Sequence, residues 1–301
     1  MTPRVAVVVP TREPAASPLL GDALRALGRQ TISSSLEAIV VGDGVPAPRI
    51  EGARALEVSP RGGFATAANA GIEAALAGGA AFVFLLNDDT LLEPDCVERL
   101  LAAAARRRDH ALFSPRILYP GTPERIWWAG GSYSPRLGVP HHLGRGRRRA
   151  ASSRRERTIT FATGCALLVR REVFEKAGLL STDFFAYGED VDFSLRALRA
   201  GFRILFVPDA ALVHRVEESG RRREGEPWRL RLATANLLRL LRLHASPLDR
   251  VTALPWFLLR WMACLSLRSL LRGDGESIAA LYRGLLDYHR SPERAAPPAD
   301  G

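Results

Sequence analysis

Cysteine is scarce in this chain of 301 residues, and Cys96, Cys165 and Cys264 stand far apart with no C-x-x-C among them. That spacing argues against a disulfide framework or a structural zinc site and for reduced thiols in a cytoplasmic protein. Lysine is scarcer still. Lys176 is the single one, so nearly all of the 42 basic side chains are arginine, which grips phosphates bidentately but is also favoured by GC-rich coding. Coding bias accounts for arginine over lysine and less well for the net charge of +10, which points to anionic partners: nucleoside diphosphates, lipid phosphates or a membrane surface, with no nucleic acid expected. Long apolar runs are missing too. The N-terminal run ends at Pro10, too early for a signal peptide, so it is expected to be a buried first strand. Pro255 to Leu271 crowds Trp256, Phe257, Leu258, Leu259, Trp261, Met262 and Leu265 together. Arg260 and Arg268 interrupt it, and it falls short of the ~20 apolar residues a span needs. An interfacial helix with snorkelling arginines, or a packed helix of a C-terminal appendage, fits it better.

What is present describes a folded α/β chain. Apolar content of 47% and charged content of 25% are ordinary for a globular protein, and the length suffices for one large domain with an appendage. Val5 to Val9 is a β-branched run suited to a strand covered on both faces. Ser17-Pro18 then starts a helix with an apolar stripe at Leu19, Leu20, Ala23, Leu24 and Leu27. A strand at Ala38 to Val41 stops in Gly42-Asp43-Gly44. Arg61-Gly62-Gly63 leads into a helix carrying Ala65, Ala68, Ile72, Ala75 and Leu76. A further strand, Ala81 to Leu86, ends in Asn87-Asp88-Asp89, and Pro94 opens a helix with Val97, Leu100, Leu101 and Ala104. Such alternation implies a mainly parallel sheet, whose ligands bind beyond the strand carboxyl ends, where Thr11, Asp43 and Asp89 fall.

The middle of the chain loses this periodicity. Trp127-Trp128, His141-His142 and seven arginines between Arg145 and Arg157 read as a long loop region, and the strand pattern returns at Thr158 to Val169 with an interruption at Gly164. Phe184 to His214 is the densest stretch. Aromatic residues precede Glu189, Asp190 and Asp192. A helix follows, with Val191, Leu195 and Leu198 at helical spacing and Gly201 at its stop, and then a short strand, Arg203 to Val207, closed by Pro208. His214 is expected on a loop beyond it. Trp228 to Leu243 and Pro255 to Leu271 form leucine-and-arginine helices, and an Ala/Pro tail follows Pro292.

Carboxylates at a helix entrance with a histidine returning from the next strand are the parts of a site that removes a proton or holds a metal. Asn87-Asp88-Asp89 at a strand end supplies oxygen ligands of the kind Mg²⁺ or Mn²⁺ takes, and is also ordinary turn chemistry. Asp43 can accept hydrogen bonds from a base or ribose, or form an Asp-Gly turn. Gly62 and Gly63 allow close backbone approach, and Asn69 either bonds a nucleotide or pins the loop. Asp190 either takes a proton or caps the following helix. Trp127 and Trp128 either stack on a sugar ring or pack in the core.

The stretch F-F-x-Y-x-E-D-V-D followed by V-P-D-A and a histidine closely resembles the family 2 glycosyltransferases, especially the rhamnosyltransferase-like branch. G-G-F-x-x-x-x-N at Gly62 to Asn69 and the acidic triplet arrive in the same order, and the resemblance covers roughly Val5 to Ser219. It implies a GT-A fold and an inverting, metal-assisted transfer from a nucleotide-diphosphate sugar to a hydroxyl of a glycan or lipid-linked acceptor, including rhamnosyl transfer in cell-envelope polysaccharide synthesis. By that match Asp190 is the general base and Glu189 orients the acceptor. Asp89, Asn87 and His214 hold the metal, and Pro10, Thr11, Asp43, Gly62, Gly63, Asn69 and Asp88 face the nucleotide. The family's strand usually ends V-V-D-x-G-S, whereas here Gly42 takes the aspartate position. A fold retained for nucleotide or glycan binding without catalysis is the competing reading. The implied organisation is a transferase domain over 1–220, divided at 110 into donor and acceptor halves, a helical region over 221–291 and a disordered tail over 292–301, working in the cytoplasm or at the inner face of the plasma membrane.

Overall fold

The computed structural model describes residues 4–12, 17–48, 51–121, 125–148, 155–215 and 226–288. The expected tail at 292–301, part of the arginine-rich loop and the 220/221 boundary lie outside them. The first half alternates as its patterns predict: β1 (Val5–Thr11), α1 (Pro18–Gly28), β2 (Leu36–Asp43), β3 (Ala53–Val58), α2 (Phe64–Ala77), β4 (Phe82–Leu86), β5 (Thr90–Leu92) and α3 (Cys96–Arg106). Every residue of β1 and β4 is buried, which is why Val5 to Val9 and the whole of β4 are unbroken apolar runs. β3 was not anticipated. It is an edge strand whose residues are all half-buried or exposed, and Arg54 and Glu57 mask its pattern.

The second half holds β6 (Leu112–Leu118), β7 (Ile126–Trp128), β8 (Gly131–Ser134), β9 (Val139–His142), β10 (Arg157–Ile159), β11 (Ala166–Arg170), α4 (Arg171–Ala177), α5 (Glu189–Arg199) and β12 (Ile204–His214). The large sheet runs β10-β12-β6-β11-β4-β1-β2-β3, with β5 on β12 and β7 on β6. Parallel ladders join β3, β2, β1 and β4, and join β6 to β12. Antiparallel β11 is inserted between β4 and β6, so β1, β2, β4, β6 and β12 all end on one edge. The region expected as one long loop contains β7 and the β8-β9 hairpin.

The strand expected to close at Pro208 runs further. β12 does not stop at Pro208 but continues to His214, and the pairing with β6 shifts register between Val207 and Ala211. A proline lacks the ladder donor and is tolerated where pairing is already irregular, so it marks a bulge here and not an end. His214 therefore belongs to the strand. It pairs with Thr90 of β5, the strand that folds back directly after the acidic triplet.

The remaining chain is helical: α6 (Glu226–His244), α7 (Pro247–Trp256), a π-helical stretch Phe257–Ala263, α8 (Cys264–Leu270) and α9 (Gly275–Asp287). Phe257, Met262, Leu237 and Leu281 form a small core between them. The region is fastened to the main domain through α5: the Asp192 carboxylate lies 2.8 Å from His244 Nε2 and accepts from Arg196 Nε at 2.8 Å. Burial alone would raise the Asp192 pKa, but the His244 bond and Arg196 outweigh it and hold the carboxyl below its usual range. No helix among the described residues is long and apolar enough to cross a membrane.

Candidate active site

A cavity of about 460 Å³ opens at the carboxyl edge of the sheet, floored by strand ends and walled by α5, α6 and the π-helical stretch. Pro10, Thr11, Asp43, Gly63, Asn87, Glu189, Asp190 and His214 line it, so strand ends far apart in sequence and the entrance of α5 meet as expected. Gly62, Asn69, Asp88 and Asp89 stand behind that lining.

The acidic triplet divides its tasks. Asn87 faces the cavity, and its backbone N–H donates to the Cys165 carbonyl of the neighbouring chain segment (2.9 Å). Asp88 accepts from the Thr11 hydroxyl (2.8 Å), tying the ends of β1 and β4 together. Asp89 is 1% exposed, and one of its carboxylate oxygens lies 2.9 Å from His214 Nε2. The β5-β12 pairing produces this contact, since it sets Thr90 opposite His214. Trp127 packs edge-on against the His214 ring at 4.6 Å.

These residues fit a divalent cation of the type that substrate phosphates help to hold. Among the described residues no three His, Cys, Asp or Glu side chains converge on one point. Asp89 and His214 do meet, with Asn87 in the adjacent wall. A hard cation such as Mg²⁺ is commonly held by one or two carboxylates, its other positions being filled by water and phosphate oxygens, so a sparse protein donor set beside a cavity is sufficient.

Asp43 and the glycine pair form a closed unit. The carboxylate accepts from the backbone N–H of Gly62 (2.8 Å) and Gly63 (3.1 Å), holding the loop before α2. Burial pushes the Asp43 pKa up, and the two N–H donors work against that push. The unusual Gly42 has a steric cause: a Cβ there would sit 2.1 Å from the Val45 carbonyl oxygen. Gly63, at φ +84°, is equally constrained, because a Cβ would lie 2.1 Å from the Phe185 carbonyl, which instead accepts the Phe64 N–H at 3.3 Å. Two of the sequence motifs thus touch, the glycine pair resting on the aromatic run. Asn69 takes the pinning role, since its amide both donates to and accepts from the Leu180 backbone (2.8 and 3.0 Å).

Asp190 lies in the first turn of α5 and faces the cavity. One oxygen accepts from the Gly164 N–H (3.1 Å) and the other from the Val191 N–H (2.8 Å). Gly188, not Asp190, occupies the N-cap position of the helix. Burial raises the Asp190 pKa above the ordinary carboxylate value despite these bonds, which favours uptake of a proton. Glu189 beside it is buried in the same wall. The paired tryptophans separate: Trp127 faces the cavity, while Trp128 is fully buried and donates to the Ser114 hydroxyl (2.9 Å).

Several wall residues stood out in the sequence for other reasons and not as parts of a site. Arg61 stacks over Phe185 at 5.1 Å, and His142 is enclosed by Trp127, Trp128 and Phe161. Burial, with Arg145 and His141 nearby, lowers the His142 pKa to about 4. The π-helical stretch contributes Trp261, whose indole donates to the Thr234 hydroxyl (2.9 Å). Gly164 had left a trace as the break in its strand pattern, and the break is where its N–H turns to Asp190.

Known proteins resemble this chain in sequence and in fold. The rhamnosyltransferase N-acetylglucosaminyl-diphospho-decaprenol L-rhamnosyltransferase of Mycobacterium tuberculosis, from strains CDC 1551 / Oshkosh and H37Rv, is 29% identical over 144 residues. That stretch is 44% of this chain and 46% of the relative, so the match spans about half the length of these curated relatives. Among solved structures, the mannosyltransferase PcManGT of Pyrobaculum calidifontis in complex with GDP-Man and Mn²⁺ superposes with a TM-score of 0.53 at 19% identity, covering 96% of this chain and 87% of that one. GalNAc-T7 with UDP, GalNAc and Mn²⁺ gives a TM-score of 0.63 at 14% identity, covering 97% of this chain and 58% of that one. Both likenesses establish a GT-A fold. The model of Glycosyl transferase family group 2 matches residues 82–272, more than half the sequence and the part that contains the acidic triplet, α5 and β12, and the chain belongs to that family.

Proposed function

We propose that this glycosyltransferase moves a sugar, with inversion, from a nucleoside-diphosphate donor to a hydroxyl of a lipid-linked glycan acceptor. The observation that carries the reading is the shared cavity of Asp190 with Asn87 and His214: a carboxylate tuned toward proton uptake faces a strand edge suited to a diphosphate. Asp190 takes the acceptor O–H proton while the oxygen forms its bond to the anomeric carbon. The bond from that carbon to the phosphate oxygen breaks, and its electron pair departs with the nucleoside diphosphate. Glu189 orients the acceptor. Asp89, His214 and Asn87 would hold Mg²⁺ or Mn²⁺, which when bound offsets the charge gathering on the leaving diphosphate. Pro10, Thr11 and the Asp43–Gly62–Gly63 unit shape the nucleotide side, so residues 1–110 serve the donor. Residues 111–220 with the helices beyond serve the acceptor.

The mycobacterial relatives are named for rhamnosyl transfer to a diphospho-decaprenol acceptor. We take rhamnosyl transfer in cell-envelope polysaccharide synthesis, at the inner face of the plasma membrane, as the specific form. A panel of nucleotide sugars, each with Mn²⁺ and an N-acetylglucosaminyl-diphospho-prenyl acceptor, tests it by release of nucleoside diphosphate. Release with a deoxythymidine-diphospho-rhamnose donor and not with mannose or glucose donors is expected. Release from another sugar would retain the reaction class and overturn the rhamnosyl assignment, and nucleotide binding without release from any donor would make the chain a binding protein.

A further inference from the structure

α7, the π-helical stretch and α8 form one unbroken helical run, and its outer side is apolar. Val251, Pro255, Leu259, Ala263, Leu267 and Leu271 recur every four residues and all are exposed. The large ones are far out in solvent: Leu271 is 80% exposed, Val251 70% and Leu259 68%. Among the described residues, ten of the thirteen exposed large hydrophobic side chains fall between Leu248 and Leu286, so this is a patch and not scatter.

Charge decides what covers the patch. Residues 247–272 contain four arginines, Arg250, Arg260, Arg268 and Arg272, all exposed and none in a salt bridge among the described residues. Their single carboxylate, Asp249, is occupied by the Ser246 N–H and hydroxyl at the start of α7. A second copy meeting the same face about a two-fold axis would set these arginines against their equivalents. An anionic lipid surface instead takes both parts, the leucines in its outer acyl layer and the guanidinium groups at its phosphates.

We infer that this face docks the protein on an anionic membrane surface, lying in the interface without crossing it. The π-helical stretch joins the face to the cavity: its one outward side carries Leu258 and Leu259, while Trp261 lines the cavity and Phe257 and Met262 pack inward. The cavity's apolar end, lined by Trp261, Leu237 and Leu240, thus lies behind the helical stretch whose outer side meets the membrane, where a prenyl tail would leave it. That last step rests on the proposed function; the docking face does not.

Vesicle flotation of the full chain tests the inference. At low salt it should bind phosphatidylcholine vesicles containing phosphatidylglycerol and leave pure phosphatidylcholine, with binding lost as salt rises. The triple substitution Leu259→Ser, Leu267→Ser, Leu271→Ser should lower binding at least tenfold, and Arg260→Gln or Arg268→Gln should lower it about fivefold each. Transfer to a short-chain, water-soluble acceptor should be unchanged in these variants, whereas transfer to a long-chain acceptor in vesicles should fall. Parent protein that ignores phosphatidylglycerol vesicles, a triple variant that binds like the parent, or a dimer in solution dissolved by the triple substitution would each overturn the docking. Intact vesicle binding with no transfer to any acceptor would uphold it and overturn the transferase reading.

Discussion

The side-chain amide of Asn236 donates to the carbonyl oxygen of Tyr187, the single non-glycine residue with a left-handed backbone among the described residues (φ 66°). The same amide donates to the Ala186 carbonyl at 2.8 Å, and the Asn236 oxygen accepts from Arg239 Nη1 at 2.8 Å. Arg239 in turn donates to the Asp287 carbonyl at 2.9 Å. A left-handed residue is strained by roughly 1–2 kcal/mol, and here it sits two positions before Glu189 and three before Asp190. The helices beyond residue 226 therefore hold the turn that aims both carboxylates.

Asn236→Leu should expose this dependence. It removes the donor from two carbonyls, a loss of about 1–3 kcal/mol of stability for buried groups left without partners, and it frees the turn to relax. Transfer should fall about tenfold or more in kcat while donor affinity stays near the parent value, because the nucleotide side of the cavity is untouched. Steady-state kinetics beside donor calorimetry checks it. Equal losses in both would make the residue a general packing element.

Gly42 leads to a second expectation. Restoring the family's usual aspartate by Gly42→Asp should damage the protein, since the new Cβ would meet the Val45 carbonyl oxygen at 2.1 Å. Overpacking of this kind costs about 1–3 kcal/mol and sometimes more. A thermal melt should show a clearly lower Tm and weakened donor binding as the Asp43–Gly62–Gly63 unit shifts. A stable variant that binds donor better would mean that the loop at Val45 moves freely.

How far the sequence disclosed all this depended on whether the signal was local. β1, α1, α2, β4 and α3 were legible because strand burial on both faces and helical stripes write themselves into contiguous residues. β12 was cut short because Pro208 carries a strong local stop, and only the register with β6 shows it to be a bulge. The motif residues were legible as chemistry, but not their partners. Asn69 looked equally suited to a ligand or a loop, and only Leu180, 111 positions away, decides between them. Asn236 is a lone amide within leucines and arginines of α6, a polar residue on a buried face; that was its signal, and nothing in the sequence pointed from it to Tyr187.

The raised pKa of Asp190 sets the pH dependence. The base acts as the carboxylate, so kcat should fall as pH drops through the Asp190 pKa, with that acid limb above the ordinary carboxylate value near 3.8. The stability effect has the opposite sign: a carboxyl that prefers its proton in the fold favours the native state at low pH, and that favour is lost as pH rises through the raised pKa. Asp190→Asn should therefore lower transfer by about 10²–10⁴ and remove the acid limb, with donor binding little changed. Turnover near the parent level would move the base to Glu189.

The Asp89–His214 pair bears on the metal, and its readout need not be activity. If the pair holds the cation that holds the donor diphosphate, Mn²⁺ with nucleoside diphosphate should stabilise the parent protein by mass action, by ~2.7 kcal/mol at a hundredfold excess over Kd. For a chain of this size that is a rise of several degrees in Tm, by about 2–4 °C per kcal/mol. Asp89→Ala should abolish the Mn²⁺-dependent part of the rise. Its baseline Tm should also drop, since His214 is buried against that carboxylate. His214→Ala should weaken the metal-dependent rise less, because it removes a neutral ligand and leaves the anionic one that a hard cation prefers. Nucleoside diphosphate with EDTA separates the two contributions: binding that survives chelation belongs to Thr11, Asp43 and the glycine pair, and it should be equal in parent and both variants. A metal-dependent rise that persists undiminished in a folded Asp89→Ala protein would take the cation away from this pair and back to the open wall at Asn87.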